Sequence, residues 1–498
     1  MSQRLSTQDA SFLYTESASG PMHISSVYVL AGELSYADAL AHFAERIHLV
    51  PAYRRRLALV PMNLAHPTWE DDPAFDLANH VLPHQLPDGA TLEDGLDAAI
   101  ELNEDMLDRK RPLWTVHVIS GVPDRTLILQ RTHHAMIDGA SGIEITTIIY
   151  DLDPKGGNPQ PAPDEPWQPA PVPGALERAG SAMRDNLKTL RGNVQAVFDQ
   201  GLPSVRDGFG DRTRMLTKAL RVMQRFVTRP VITAPFNAGL VGPKRNVRYT
   251  KKSFGEIREI RRALGGTIND VVLTVVSEAV ARYLHIHGEK TDEKHMRIMC
   301  PVNVRTENEE GALGNRVSAI FPTLPAWSMD VDKRLTAVCA ETNRIKDEQE
   351  AQALALLTSG ESGVWPVALA PTQIVGTPWD PTKLLAKRPL PIMPNLGWRP
   401  PNIGINFVCT NVPGVQVPQY LAGHEVLDTV GVLVLTGNVG FSVTILSYNQ
   451  QLFFCLICEP RLLPDLEVLV GGVDAAFGEL LELAREHTRQ LNPEQTSA

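Results

Sequence analysis

Gln130-Arg131-Thr132-His133-His134-Ala135-Met136-Ile137-Asp138-Gly139-Ala140-Ser141-Gly142 is the stretch on which the reading of this chain turns. It follows the apolar run Thr126–Gln130, which reads as a buried strand, and precedes Ile143–Tyr150, which reads as a helix. Ser141 and Glu144 stand at capping-box spacing for that helix. The histidine pair is therefore expected at a strand end beside a helix start. Neighbouring residues on a strand point to opposite faces, so His133 and His134 cannot both enter one cleft. One of them works and the other supports it.

A neutral imidazole takes and returns a proton near neutral pH, which suits a general base acting on a hydroxyl or thiol. Asp138 either fixes an imidazole tautomer or pairs with an arginine and holds the turn. Gly139 removes a side chain where backbone or substrate must pass closely. Two His with an Asp also suit a metal, but the opposed faces of the histidines argue against one, and no metal is expected.

The surrounding chain bounds the possibilities. Its 498 residues are 43% hydrophobic and 21% charged, which excludes a disordered or fibrous architecture and allows two to four globular units. With 47 Lys+Arg against 57 Asp+Glu the net charge is −10, so general nucleic-acid binding is excluded and an anionic ligand must meet local cations. The five cysteines are odd in number and lie in the C-terminal half, which argues against a disulfide framework. Cys455 and Cys458 have C-x-x-C spacing but sit in an apolar run, and read as buried structural residues rather than redox or zinc ligands.

The N-terminus lacks the apolar core of a secretory signal, so a cytoplasmic protein is expected. No charge occurs from Thr429 to Cys458, but Gly437-Asn438 and Asn449-Gln450-Gln451 interrupt that run. It reads as a buried three-strand meander rather than a membrane span. Eight prolines fall between Asp153 and Gly174, marking a linker. The expected organisation is an N-terminal lobe over 1–152, a Pro-rich linker and helical crossover over 153–245, and a second lobe over 246–498. Within the crossover, Arg214, Lys218, Arg221 and Arg225 repeat at helical spacing opposite Leu216, Leu220, Met223 and Val227. That basic amphipathic helix (212–229) either packs on a lobe or lies in a membrane headgroup region. After Pro464-Asp465, Val473, Phe477, Leu480, Leu481 and Ala484 predict a core-packed last helix.

The motif His133-His134-x-x-x-Asp138-Gly139 resembles the H-H-x-x-x-D-G signature of the acyl-CoA-dependent acyltransferases. Its neighbours resemble the bacterial wax ester synthase/diacylglycerol acyltransferase family. The likeness runs along most of the chain: Leu5-Ser6 to Asp9, Phe12-Leu13 and Pro21-Met22-His23, then Arg111-Pro112-Leu113-Trp114, then Thr267-Ile268-Asn269-Asp270-Val271-Val272. Pro301-Val302 with Val304-Arg305, Gly314-Asn315, Asn411-Val412-Pro413-Gly414 and Tyr420-Leu421-Ala422-Gly423 complete the series.

The resemblance implies an α/β, two-lobed fold like chloramphenicol acetyltransferase, with a central tunnel in which a long-chain acyl-CoA and a fatty alcohol or diacylglycerol meet. It implies His134 as the base and a structural Asp138, with acyl-CoA as co-substrate and no cofactor. The chain has no G-x-S-x-G nucleophile elbow to suggest a covalent acyl-enzyme. Asn269 and Asp270 become substrate-binding candidates, although Asn269 equally reads as a brace for its turn. Pro112, Leu113 and Trp114 are either an acyl-pocket wall or plain core. A peripheral position on the inner face of the cell membrane or on lipid inclusions is a further expectation. Val415 stands where the family usually has Pro, and residues 359–400, with Trp365, Trp379 and Trp398, do not align to it. A different hydroxyl or amine acceptor, or a non-catalytic lipid-binding protein, are the alternatives.

Overall fold

The computed structural model describes residues 3–136, 145–157, 167–185, 231–303, 317–348 and 404–491, with the single positions 161, 165, 187 and 224. Asp138, Gly139, the Ser141/Glu144 pair, the stretch 214–227, positions 304–315 and the segment 359–400 lie outside the described residues, apart from position 224.

The N-terminal half contains strands β1 (Gln3–Arg4), β2 (His23–Ala31), β3 (Arg55–Ala58), β4 (Thr68–Asp71), β5 (Val81–Gln85), β6 (Trp114–Ser120) and β7 (Arg125–His133). Helices α1 (Thr7–Thr15), α2 (Tyr36–Arg46) and α3 (Leu92–Asn103) lie between them. The C-terminal half supplies β8 (Asn246–Ser253), α4 (Phe254–Leu264), α5 (Ile268–Ile286), β9 (His295–Asn303), β10 (Val317–Ile320), β11 (Thr323–Pro325) and α6 (Val331–Asp347). It ends with β12 (Phe407–Pro413), β13 (Tyr420–Leu421), β14 (His424–Val432), β15 (Phe441–Tyr448), β16 (Gln451–Cys458) and α7 (Leu466–Leu491).

One six-stranded sheet has the order β13-β14-β2-β7-β6-β5, a second is ordered β10-β9-β12-β15-β16-β8 with β11 also on β9, and a small third sheet is β1-β4-β3. Strand β7 runs antiparallel between β2 and β6, and every residue after Arg125 is buried. A strand covered on both faces needs no polar alternation, which is why its sequence is a continuous apolar run.

The expected three-strand meander over 429–458 is corrected. β15 and β16 do form a hairpin, turned by Asn449 and Gln450 at φ 44° and 59°, the left-handed pair a two-residue turn requires. β14 instead pairs with β2 in the N-terminal sheet. The boundary at 246 therefore divides the chain but not the sheets, because 420–432 complete the first one. The charge-free run has a physical cause in this crossing. On β16, Phe453, Cys455 and Ile457 enter the core shared with the N-terminal sheet, whereas Leu452, Phe454, Leu456 and Cys458 enter the core beneath α5 and α7. Gly431 makes the close approach possible, since a Cβ there would sit 2.8 Å from the Thr444 side chain on β15.

Cys455 and Cys458 are buried free thiols in different cores, each pushed up to about 12 by burial, as the structural reading expects. α7 buries Val473, Phe477, Leu480, Leu481 and Ala484 as expected. Residues 167–174 have no regular structure and a helix follows over 175–185. Among the described residues no single helix is long and apolar enough to cross a membrane; α4 and α5 pass together only as a pair bent by 98°, and α5 is a core helix.

Charge also ties the lobes. Arg248 on β8 reaches Glu93 (2.5 Å) and Asp97 (3.0 Å) on α3, and Lys244 reaches Glu104 (2.8 Å) just beyond it. Lys251 and Tyr249 both hold Asp428 of β14, at 2.6 and 2.7 Å.

Candidate active site

Helix α1 starts where its sequence caps it, with the Ser6 hydroxyl accepting the Asp9 amide at 3.0 Å. It stops at Glu16, whose backbone is extended. Phe12 and Glu16 are four residues apart and thus share a helix face. That face meets the histidine pair at the end of β7.

Consecutive amides of the pair bond to opposite neighbours. His133 donates to the Leu113 carbonyl on the β6 side (2.9 Å), and His134 donates to the Met22 carbonyl on the β2 side (2.8 Å). Their rings diverge accordingly. The His133 ring is fully buried: its Nδ1 accepts the Ala135 amide at 3.0 Å and its Nε2 lies 3.3 Å from Glu16 Oε1. An occupied Nδ1 lone pair leaves the proton on Nε2, facing the carboxylate. The His134 ring is half-buried and lies flat on Phe12, with centroids 4.0 Å apart and planes 7° from parallel. The two rings therefore meet different surroundings, His133 polar contacts within the core and His134 the face of Phe12.

Glu16 organises the buried side. Burial alone would push its carboxyl up, but the His133 ring, the Met22 amide (3.0 Å) and the Arg109 guanidinium (2.8 Å) together hold it down, to about 2. Arg131 projects from the same face of β7 as His133 and bonds the Asp105 carbonyl; burial brings it down to about 10, so it stays charged at neutral pH. His23, paired across from His133, is held down to about 3 by burial and by Arg131, and donates through Nε2 to the Asn103 carbonyl (2.8 Å). One carboxylate, two arginines and the two imidazoles of His23 and His133 thus back the site.

The other expected residues fall on different supports. Trp114 is fully buried, stacked between Tyr53 (4.4 Å) and His80 (4.6 Å), and its indole N–H donates to the Tyr53 carbonyl at 2.8 Å. Pro112 and Leu113 are buried too, and the Leu113 carbonyl anchors His133. Of the two readings for this tripeptide, the geometry is that of core. Asp270 caps the start of α5: Oδ2 accepts the Thr267 amide and hydroxyl, both at 2.8 Å, and Oδ1 accepts the Thr342 hydroxyl at 2.8 Å. Asn269 receives a hydrogen bond from the Asn411 amide at 2.5 Å, joining the start of α5 to β12. Asp138 and Gly139 lie outside the described residues. Among those described, no three His, Cys, Asp or Glu side chains are grouped to hold a metal.

Glu16, Arg109 and Arg131 were not legible as site residues in the sequence. Glu16 is 117 positions from His133 in a polar loop, and nothing local distinguishes it from a solvated acid; only its place one turn after Phe12 hints at a shared face.

Known proteins resemble this chain along most of its length. Residues 5–272 match the wax ester synthase/diacylglycerol acyltransferase catalytic domain, and residues 313–481 match the C-terminal domain of the same family. A Mycobacterium tuberculosis protein named as a diacylglycerol O-acyltransferase is 27% identical over 98% of this chain and 92% of its own length. Another from that species, named likewise, is 29% identical over 97% of this chain and 98% of its own. Among solved structures, the wax ester synthase/diacylglycerol acyltransferase from Marinobacter aquaeolei VT8 superposes with a TM-score of 0.63 at 20% identity, covering 97% of this chain and all of the other. The starter condensation domain of rhizomide synthetase, solved with C8-CoA and Leu-SNAC, gives 0.55 at 14% identity, covering 97% and 94%. These two likenesses establish the two-lobed α/β fold of the CoA-dependent acyltransferases. With family models matching both halves of its length, the chain belongs to the wax ester synthase/diacylglycerol acyltransferase family.

Proposed function

We propose that this acyltransferase moves a long-chain acyl group from CoA to the hydroxyl of a fatty alcohol, of a diacylglycerol, or of both, with His134 as general base. The observation that carries the proposal is the division within the pair: the His133 ring is fully buried against the Ala135 amide and Glu16, while the His134 ring is half-buried and stacks on Phe12.

His134 takes the proton of the acceptor hydroxyl as its oxygen attacks the thioester carbonyl. The tetrahedral oxyanion collapses, the C–S bond breaks, and the CoA thiolate receives the proton from His134. Asn269, its carbonyl taken by Asn411, keeps its amide protons for a substrate oxygen. The chemistry asks for no cofactor beyond the thioester. Because both substrates are oily, we place the reaction on the cytoplasmic side, at the membrane face or the surface of lipid inclusions.

The test is thiol release from palmitoyl-CoA with hexadecanol, with dioleoylglycerol and with neither. Acceptor-dependent release is expected, with loss in His134→Ala. Unchanged release by that variant would show the base to be another residue.

A further inference from the structure

Beside Leu13 of α1, a cavity of about 390 Å³ opens between the small sheet and helix 175–185. That volume is in the range of small-molecule sites. Its walls have three chemistries. Leu13, Leu57 and Leu59 give an apolar floor, and Leu59 is 62% exposed, so the floor runs out to solvent. Arg56, Arg109, Lys110 and Arg178 bring four cations to the wall, of which Arg56 pairs with Asp72 at 3.6 Å, Arg109 with Glu16 at 2.8 Å and Arg178 with Glu70 at 3.3 Å. Among the described residues no ion pair engages Lys110.

The carboxylate, Glu70, supplies an independent observation. It is 4% exposed; Oε1 accepts the Thr68 hydroxyl at 3.1 Å and faces Arg178 at 3.3 Å, but Oε2 is buried with no hydrogen-bond partner. A buried oxygen left without a donor is unfavourable and calls for an explanation, which a donor arriving from elsewhere supplies.

We propose that this cavity binds a phosphate monoester of a single-chain lipid carrying a free hydroxyl, the chemistry of a monoacylglycerol phosphate. Inorganic phosphate uses only the cations. A fatty acid uses the cations and the floor, and a monoacylglycerol uses the floor and Glu70. The hydroxyl-bearing lipid phosphate uses all three walls: oxyanions on Arg56, Lys110 and Arg178, hydroxyl on Glu70 Oε2, and chain along Leu13, Leu57 and Leu59. Arg109 is shared between the cavity wall and the clamp on Glu16, which links occupancy to the support of His133. Binding itself is independent of which acyl transfer the histidines perform, so its failure would leave that reading untouched.

The experiment is calorimetric titration of the full chain with monooleoylglycerol phosphate below its micellar concentration, beside inorganic phosphate, oleate and monooleoylglycerol. The lipid phosphate should bind at least tenfold more tightly than each partial ligand. Lys110→Glu, at an exposed position, and the double variant with Arg56→Glu should weaken it more than tenfold without changing basal acyl transfer. Glu70→Gln should abolish the preference for the hydroxyl-bearing lipid over its deoxy analogue. Equal affinity for oleate, or indifference to Lys110→Glu, overturns the proposal. So does a rise in KM for acyl-CoA in the double variant, which would assign the cations to the co-substrate's phosphates.

Discussion

Replacing Glu16 by Gln keeps the shape of the side chain and removes its charge. The carboxyl lies at about 2 in the fold against an ordinary 4.5, and the residue is 3% exposed. About 2.5 pK units at 1.36 kcal/mol each is roughly 3 kcal/mol of stability held by the ionised form. Because the folded value is depressed, this contribution is complete above pH 4.5 and is lost as pH falls toward 2. Urea unfolding at pH 7 should therefore show Glu16→Gln destabilised by about 3 kcal/mol. Between pH 4.5 and 2 the wild type should lose stability faster than the variant, so that the gap closes. Release of His133 should also displace the strand end, lowering kcat by about 10- to 100-fold. A variant within about 0.5 kcal/mol of wild type at pH 7, with a parallel acid profile, would refute the claim that Glu16 is the ionised anchor of the pair.

Three other outcomes follow from the same geometry. Phe12→Ala removes the stack beneath His134, and at about 0.5–1.5 kcal/mol for such a contact kcat should fall roughly 2- to 10-fold with stability less affected, which steady-state kinetics beside thermal melts will separate. Trp114→Ala empties a fully buried site and should cost about 3–5 kcal/mol by urea titration, far more than expected of a pocket wall facing solvent. Arg248→Ala breaks contacts to Glu93, Asp97 and Glu467 whose carboxylates are mostly exposed, so it should cost no more than about 1 kcal/mol in low salt and nothing measurable in 1 M NaCl.

Periodicity carried what depends on neighbours along the chain. The strand before His133, the capped start of α5 at Thr267, the apolar face of α7 and the hairpin turn at Asn449-Gln450 are each decided within a few residues, by side-chain alternation, a capping hydroxyl or a left-handed turn. Strand partnership is different. The pattern of 429–458 says that both faces are buried but not which edge β14 offers to which strand, and the pairing with β2 rests on backbone hydrogen bonds that leave no trace in side-chain identity.

The same division holds at the active site. By itself the sequence determined that a histidine pair ends a buried strand, that its members face apart, and that an ordered series of motifs places the chain in an acyltransferase family. Only the tertiary structure decided which support each member received: Glu16 and Arg109 behind His133, and Phe12 beneath His134. The physical reason is that a buried charge is stabilised by whatever folds against it, and those partners lie some hundred residues away, where no local periodicity reaches.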